Sequence, residues 1–248
     1  MMKSHQTNYD IRCEWGEGGV LELSRTSDVV IIVDVLSFST CVDIAVARGA
    51  AVYPYPWKDN RAREFATAVG AELAVPRGTG RYSLSPASFL DIPPDTKIVL
   101  PSPNGASLSL ATGDTITLAG CLRNASAVAE AARRLGKRIS VIPAGERWRD
   151  NSLRPSLEDW LGAGAIIDEL SGSFSPEAQA ALDVYRAPGA DLAQKIRNCV
   201  SGVELIERGY ETDVVFASDL DVSCSVPILS DKAYVNAAKP GRCDQANG

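Results

Sequence analysis

The chain has 248 residues, 45% hydrophobic and 23% charged, which excludes intrinsic disorder as a description of the whole. At roughly 150 residues per domain the length allows one large domain or two small ones, with a core that needs neither disulfides nor a structural metal. Lysine plus arginine number 25 against 31 aspartates and glutamates, a net charge of −6, which argues against gripping a nucleic-acid backbone but leaves room for a small anion held at a local site.

Residues 1–20 read as a polar leader with no apolar signal segment, and no later stretch approaches eighteen uninterrupted apolar residues, so neither export nor a membrane span is expected. The first clear strand is Val29 to Val33, a β-branched run of the kind buried on both faces of a parallel sheet. Ala50 to Tyr53 is the next strand, and Asn60 to Val69 a helix ending at Gly70. A Gly/Ser/Pro-rich loop follows from Val75 to Pro94, long enough to suggest a functional role. Strands are then expected at Lys97 to Leu100, Thr115 to Ala119 and Ile139 to Ile142. Between the last two, Asn124 to Leu135 reads as a helix stopped by a left-handed Gly136. Ser156, with Asp159 three residues on, opens a helix in the manner of a capping box. Ser175 with Pro176 opens another, and Asp213 to Ala217 reads as a final strand before a tail at 236–248. Strands alternating with helices predict an α/β fold, mostly parallel, in one domain; a division near residue 150 is the alternative.

The single histidine, His5, falls in the leader, which argues against a Ser-His-Asp triad, a phosphohistidine or a two-histidine zinc site. The six cysteines contain no Cys-x-x-Cys pair and read as reduced thiols of a cytoplasmic protein.

In open α/β sheets ligands bind beyond the carboxyl ends of the strands, and four such ends here carry chemistry. Asp34 follows VVIIV, Ser102, Asn104 and Gly105 follow KIVL, Arg123 and Asn124 follow TITLAGC, and Gly145 and Glu146 follow ISVIP. Together they would line one sheet edge with carboxylates, carboxamides and hydroxyls. Asp34 either complements the dipole of a helix beginning near Ser39 or serves as metal ligand or nucleophile. Ser37, Ser39 and Thr40 divide between capping and catalysis, and Asn104-Gly105 between a plain turn and an anion site at a helix start. Glu158 and Asp159 suit either the first turn of their helix or a metal. Arg77, in PRGTGR, is suited to a bidentate grip on phosphate or sulfonate. An Asp-x-Asp after the first strand is absent, since Asp34 is followed by Val35 and Leu36, and so are the Walker and Rossmann glycine patterns.

The ordered set VDVLSFST, PRG, SPAS, SPNGAS, AGCLRN, IPAGE, SLEDWLGAG and SGVELIERGYETDVVFASDLDVSCSVPIL resembles the 2-phosphosulfolactate phosphatase family from about Val29 to Leu229. The resemblance implies a three-layer α/β/α fold with a mostly parallel or mixed sheet. It also implies Mg²⁺-dependent hydrolysis of 2-phosphosulfolactate to sulfolactate and phosphate, on a route to coenzyme M. It carries function onto Asp34, Arg77, Asn104, Gly105, Asn124, Gly145, Glu146, Glu158 and Asp159. On that basis Asp34, Glu146 and Asp159 are the expected catalytic groups, and Asp34 and Glu158 the expected Mg²⁺ ligands. Arg77, Ser102, Asn104, Gly105, Asn124 and Gly145 are then expected to bind the small phosphorylated and sulfonated acid. The family often has arginine where Ser37 stands, an acid where Pro76 stands and asparagine where Leu84 stands. These departures keep two alternatives in play: a phosphatase for another small phosphorylated acid, and a non-catalytic sensor of such an anion. A homodimer is the expected assembly for a small-molecule enzyme of this size.

Overall fold

A computed structural model describes residues 6–56, 60–187, 189 and 191–238; His5 lies outside them. The fold is three-layered, a mixed nine-stranded sheet with helices on both faces. Within it β2 (Val29–Val33) pairs in parallel with β6 (Ile116–Gly120) on one side and β7 (Ile139–Pro143) on the other. Beyond β7 lies β1 (Ile11–Cys13), also parallel. A second parallel group joins β3 (Ala51–Tyr55), β5 (Lys97–Pro101) and β4 (Glu72–Leu73). The hairpin of β10 (Pro227–Ser230) and β11 (Ala233–Asn236) bridges the groups, with β10 antiparallel to β6 and β11 antiparallel to β3. Three successive antiparallel pairings mean that the two parallel groups run in opposite directions.

All five residues of β2 are buried, as its unbroken apolar run predicts. Its side chains alternate between the layers. Val29, Ile31 and Val33 pack in one cluster with residues of α5 (Ala125–Leu135), α6 (Leu157–Asp168) and α7 (Pro176–Arg186), whereas Val30 and Ile32 meet α1 (Gly16–Leu23) and Leu108 of α4 (Gly105–Ala111). A third cluster forms around α2 (Phe38–Ala47), β3 and β5. The remaining helices are α3 (Asn60–Val69), α8 (Leu192–Asn198), α9 (Val200–Glu207) and α10 (Glu211–Ser218); a small hairpin pairs β8 (Glu146–Arg147) with β9 (Leu153–Arg154). Among the described residues no helix is long and apolar enough to cross a membrane.

Several expectations are corrected. The stretch 1–20 is not merely a leader: β1 and most of α1 fall within it, and Ile11 and Val20 are fully buried. Three residues at a sheet edge are too short for a periodic signal. Asp213 to Ala217 is not a strand but the centre of α10, whose Val214 and Ala217, three apart, both face the core. Gly136 ends α5 in an extended rather than left-handed conformation, with φ −177°. Its missing side chain matters for a different reason, because a Cβ there would collide with Asp28. Ser175 does cap α7, accepting a hydrogen bond from Ala178 N, whereas Ser156 makes no such bond at the start of α6.

Candidate active site

Where β2 ends, the chain turns into α2 and leaves Asp34 only 6% exposed. Both of its oxygens are held by backbone donors: Gly105 N, at the start of α4, donates to Oδ2 at 2.9 Å, and Phe38 N, at the start of α2, to Oδ1 at 3.2 Å. Two helix starts therefore converge on one carboxylate, where unpaired N–H groups and the helix dipoles favour negative charge. Gly105 cannot carry a side chain here, since a Cβ would strike the Phe38 ring and lie 2.8 Å from Asp34 Oδ2.

A second carboxylate braces the same region. Asp159, in the first turn of α6 and 3% exposed, accepts from Val35 N at 2.7 Å and from Gly145 N at 2.8 Å. It thus ties the segment after β2 to the segment after β7, which is why it does not close a capping box with Ser156. Glu158 beside it is 2% exposed. Glu146, at the start of the β8–β9 hairpin, accepts from Asn104 Nδ2 at 3.0 Å. Ser102 is buried, and its amide donates to Tyr55 O.

Crowding of these acids shows in their proton affinities. Burial, and next the charge of Glu146, push the Asp34 carboxyl up to about 7 against the pull of the Gly105 and Phe38 N–H groups. Burial raises Asp159 well above its ordinary value, followed by repulsion from Asp34 and Glu158. Glu146 is also raised, mainly by burial, with the Asn104 amide and the Arg154 charge opposing. Perturbed carboxyls gathered at a sheet's carboxyl edge are a common mark of a functional site. Beside Glu146 and Asn104 a cavity of about 350 Å³ opens, walled by Trp15, Leu108, Ala144 and Leu153.

Arg77 reaches the site from the long loop, its Nη2 donating to Ser37 Oγ at 2.9 Å. The structure thus brings Asp34, Arg77, Asn104, Gly105, Gly145, Glu146, Glu158 and Asp159 into one neighbourhood. It does so from both strand groups. Asp34, Gly145 and Glu146 follow strands of the first, while Asn104 and Gly105 follow β5 of the second, so the single edge expected for all four strand ends holds only in part. Asn124 stands apart. It is fully buried, with Oδ1 accepting from Cys121 N at 2.9 Å and Nδ2 directed at Ala119 O and Ser225 O, so its amide is spent on the backbone. Neighbouring Arg123 is likewise structural, bound to Asp43, Asp219 and Phe216 O.

Sequence reasoning missed Tyr210 and Asp213, which contact Arg77, and Ser85, which is hydrogen-bonded to Asp213. Ser85 and Asp213 are 128 positions apart, so no local pattern joins them. A helical reading of Glu211 to Ser218 would have drawn attention to Asp213 as a first-turn acid facing inward.

The profile of the family described as 2-phosphosulpholactate phosphatase matches residues 20–232. The chain belongs to the 2-phosphosulfolactate phosphatase family. Among proteins similar to it, the 2-phosphosulfolactate phosphatase of Methanothermobacter thermautotrophicus is 31% identical over 215 residues, covering 85% of this chain and 90% of that protein. The 2-phosphosulfolactate phosphatase of Methanocaldococcus jannaschii is 27% identical over 201 residues, 78% and 85% of the two chains. A probable 2-phosphosulfolactate phosphatase of Pseudothermotoga lettingae is 24% identical over 216 residues, 85% and 93%. Membership in this phosphatase family makes the chain a phosphoric monoester hydrolase by kind, and the match spans every element of the carboxylate cluster.

Proposed function

We propose that this chain hydrolyses the phosphate ester of 2-phosphosulfolactate with the help of Mg²⁺, releasing sulfolactate and phosphate. The observation that carries the reading is the convergence of Asp34, Glu146, Glu158 and Asp159 beside Arg77 at the ends of β2 and β7. Such a cluster repels an anionic substrate unless a cation lies between them, and the donor set is all carboxylate oxygen, as hard Mg²⁺ prefers. Among the described residues no three His, Cys, Asp or Glu side chains form a ready-made cage. That suits a cation which commonly binds through one or two carboxylates and completes its shell with water and phosphate oxygen. Asp34 and Glu158 would hold it, and once bound it supplies charge neutralisation at the phosphoryl oxygens.

The chain's own groups do the rest. Arg77 takes the phosphate oxygens, and Asn104 orients both substrate and Glu146. Glu146, with its raised proton affinity, receives the proton of the attacking water as the P–O ester bond breaks; the departing alkoxide takes a proton from solvent water, and Glu146 then returns its own proton to solvent. Asp159, already committed to two backbone N–H groups, keeps the loops after β2 and β7 in register. The buried thiols of Cys13, Cys41, Cys121 and Cys199 are unpaired with one another, which fits the reducing cytoplasm that this reading implies.

Phosphate release from 2-phosphosulfolactate, phospholactate and an aryl phosphate, each with Mg²⁺ or chelator, tests the proposal. Turnover confined to the sulfonated ester and lost with chelator supports it. Preference for phospholactate would move the assignment to another small phosphorylated acid, the reading that the family departures at Ser37, Pro76 and Leu84 favour. Tight sulfolactate binding with no turnover would make the protein a sensor. Capture of ³²P on Asp34 would replace direct water attack by a phosphoenzyme.

A further inference from the structure

The tail segment containing Tyr210 and Asp213 has no part in the chemistry above, yet it meets the site through Arg77. The Arg77 side chain is 13% exposed, and the Asp213 side chain 2%. Asp213 divides its carboxylate between two tasks. Oδ1 accepts from Ser85 Oγ at 2.6 Å and from Ala87 N at 3.1 Å, pinning the far part of the long loop to α10. Oδ2 lies 3.4 Å from Arg77 Nε, and neither atom has another partner although both are buried. The guanidinium carbon also lies over the Tyr210 ring, 5.3 Å from its centroid. At the opposite end, Nη2 donates to Ser37 Oγ at the entry to α2.

We propose that Asp213 is a positioning residue which, with the Tyr210 ring, aims the Arg77 guanidinium at the phosphate group of the substrate. The proposal rests on the reading of Arg77 as the phosphate-gripping cation. Pinning the loop alone needs a hydrogen-bond acceptor, which asparagine supplies as well as aspartate. A full negative charge at a buried position is costly unless a cation faces it, and Arg77 is the cation that does. The arrangement also orients. With Nε turned to Asp213 and one N–H of Nη2 given to Ser37, the second N–H of Nη2 and those of Nη1, which has no hydrogen-bond partner among the described residues, remain for anionic oxygens. An arginine fixed on three sides loses little rotamer freedom when the anion arrives, which is where the affinity comes from.

Calorimetric titration of the full chain with inorganic phosphate, in Mg²⁺-containing buffer, tests this. Arg77→Ala is expected to weaken phosphate binding roughly ten-fold or more, and Asp213→Asn by a comparable factor. In the Arg77→Ala background Asp213→Asn is expected to change nothing further, since its effect passes through the guanidinium. A merely structural Asp213 would weaken binding equally in both backgrounds, and that additive result overturns the proposal. So does phosphate affinity that is unchanged in either single variant. If Asp213→Asn fails to fold, the wild-type protein decides: the Arg77 Nε–H, assigned by its loss in Arg77→Lys, should exchange slowly with water in an arginine-labelled NMR spectrum. Exchange at the rate of free arginine refutes it. Failure of wild-type protein to turn over 2-phosphosulfolactate, with the phosphate coupling intact, would remove the substrate assignment and leave this one standing.

Discussion

Asp34 combines two opposing demands. Its backbone donors favour the anion, while burial and the acids around it favour the neutral form, and the balance lies near pH 7. A carboxyl whose folded-state pKa is raised above 3.8 contributes stability that is fully present below about pH 4 and lost as pH rises through about 7. The protein without divalent cation is therefore expected to melt at a lower temperature at pH 8 than at pH 5, and Asp34→Asn to shrink that difference. Thermal denaturation of both proteins in chelator checks it; an unchanged pH dependence in the variant would contradict it. Gly105→Ala places a methyl group against Phe38 and Asp34, so a loss of about 1–3 kcal/mol in urea unfolding is expected, with a larger proportional loss of activity. At this scale much was legible: strand ends pointed to Asp34, Asn104, Gly105 and Glu146. Asn124 follows a strand as the others do, and only the fold shows its amide turned inward to the backbone.

Among the elements, the β10–β11 hairpin does most to hold the site together. It joins two oppositely directed strand groups, and fully buried Tyr234 packs edge-on against Phe38 while its hydroxyl donates to Ser109 Oγ at 2.7 Å. One side chain thus touches both α2 and α4, the helices whose starts hold Asp34. Tyr234→Phe is expected to cost about 1 kcal/mol by urea unfolding, the worth of one buried hydrogen bond; no loss would show that the contact is idle. At one edge of the sheet, Ile11→Ala should cost about 2–5 kcal/mol, since β1 packs Ile11 fully into the core. A loss below 1 kcal/mol would return that segment to the status of a leader. The central strands and most helices were readable because apolar runs and caps are local signals. The run Val214-Val215-Phe216 has the composition of a strand, and its helical state is chosen by packing with the core, which no window of sequence contains.

For the whole molecule, the alternation of strands and helices was enough to predict the layered α/β fold, but not its division into opposed parallel groups. That division depends on β10 and β11 inserting between strands laid down more than a hundred residues earlier. Because the cluster draws on residues from 34 to 159, we expect one cooperative calorimetric transition rather than two with a boundary near residue 150. The central claim is that the Asp34-centred carboxylate cluster performs phosphate-ester hydrolysis. It is tested most directly by phosphate release from 2-phosphosulfolactate, comparing wild-type protein with Asp34→Asn in saturating Mg²⁺. The account predicts turnover by the wild type and a rate about 10²-fold lower or less in a variant that melts no earlier. Equal turnover by the two proteins would contradict it.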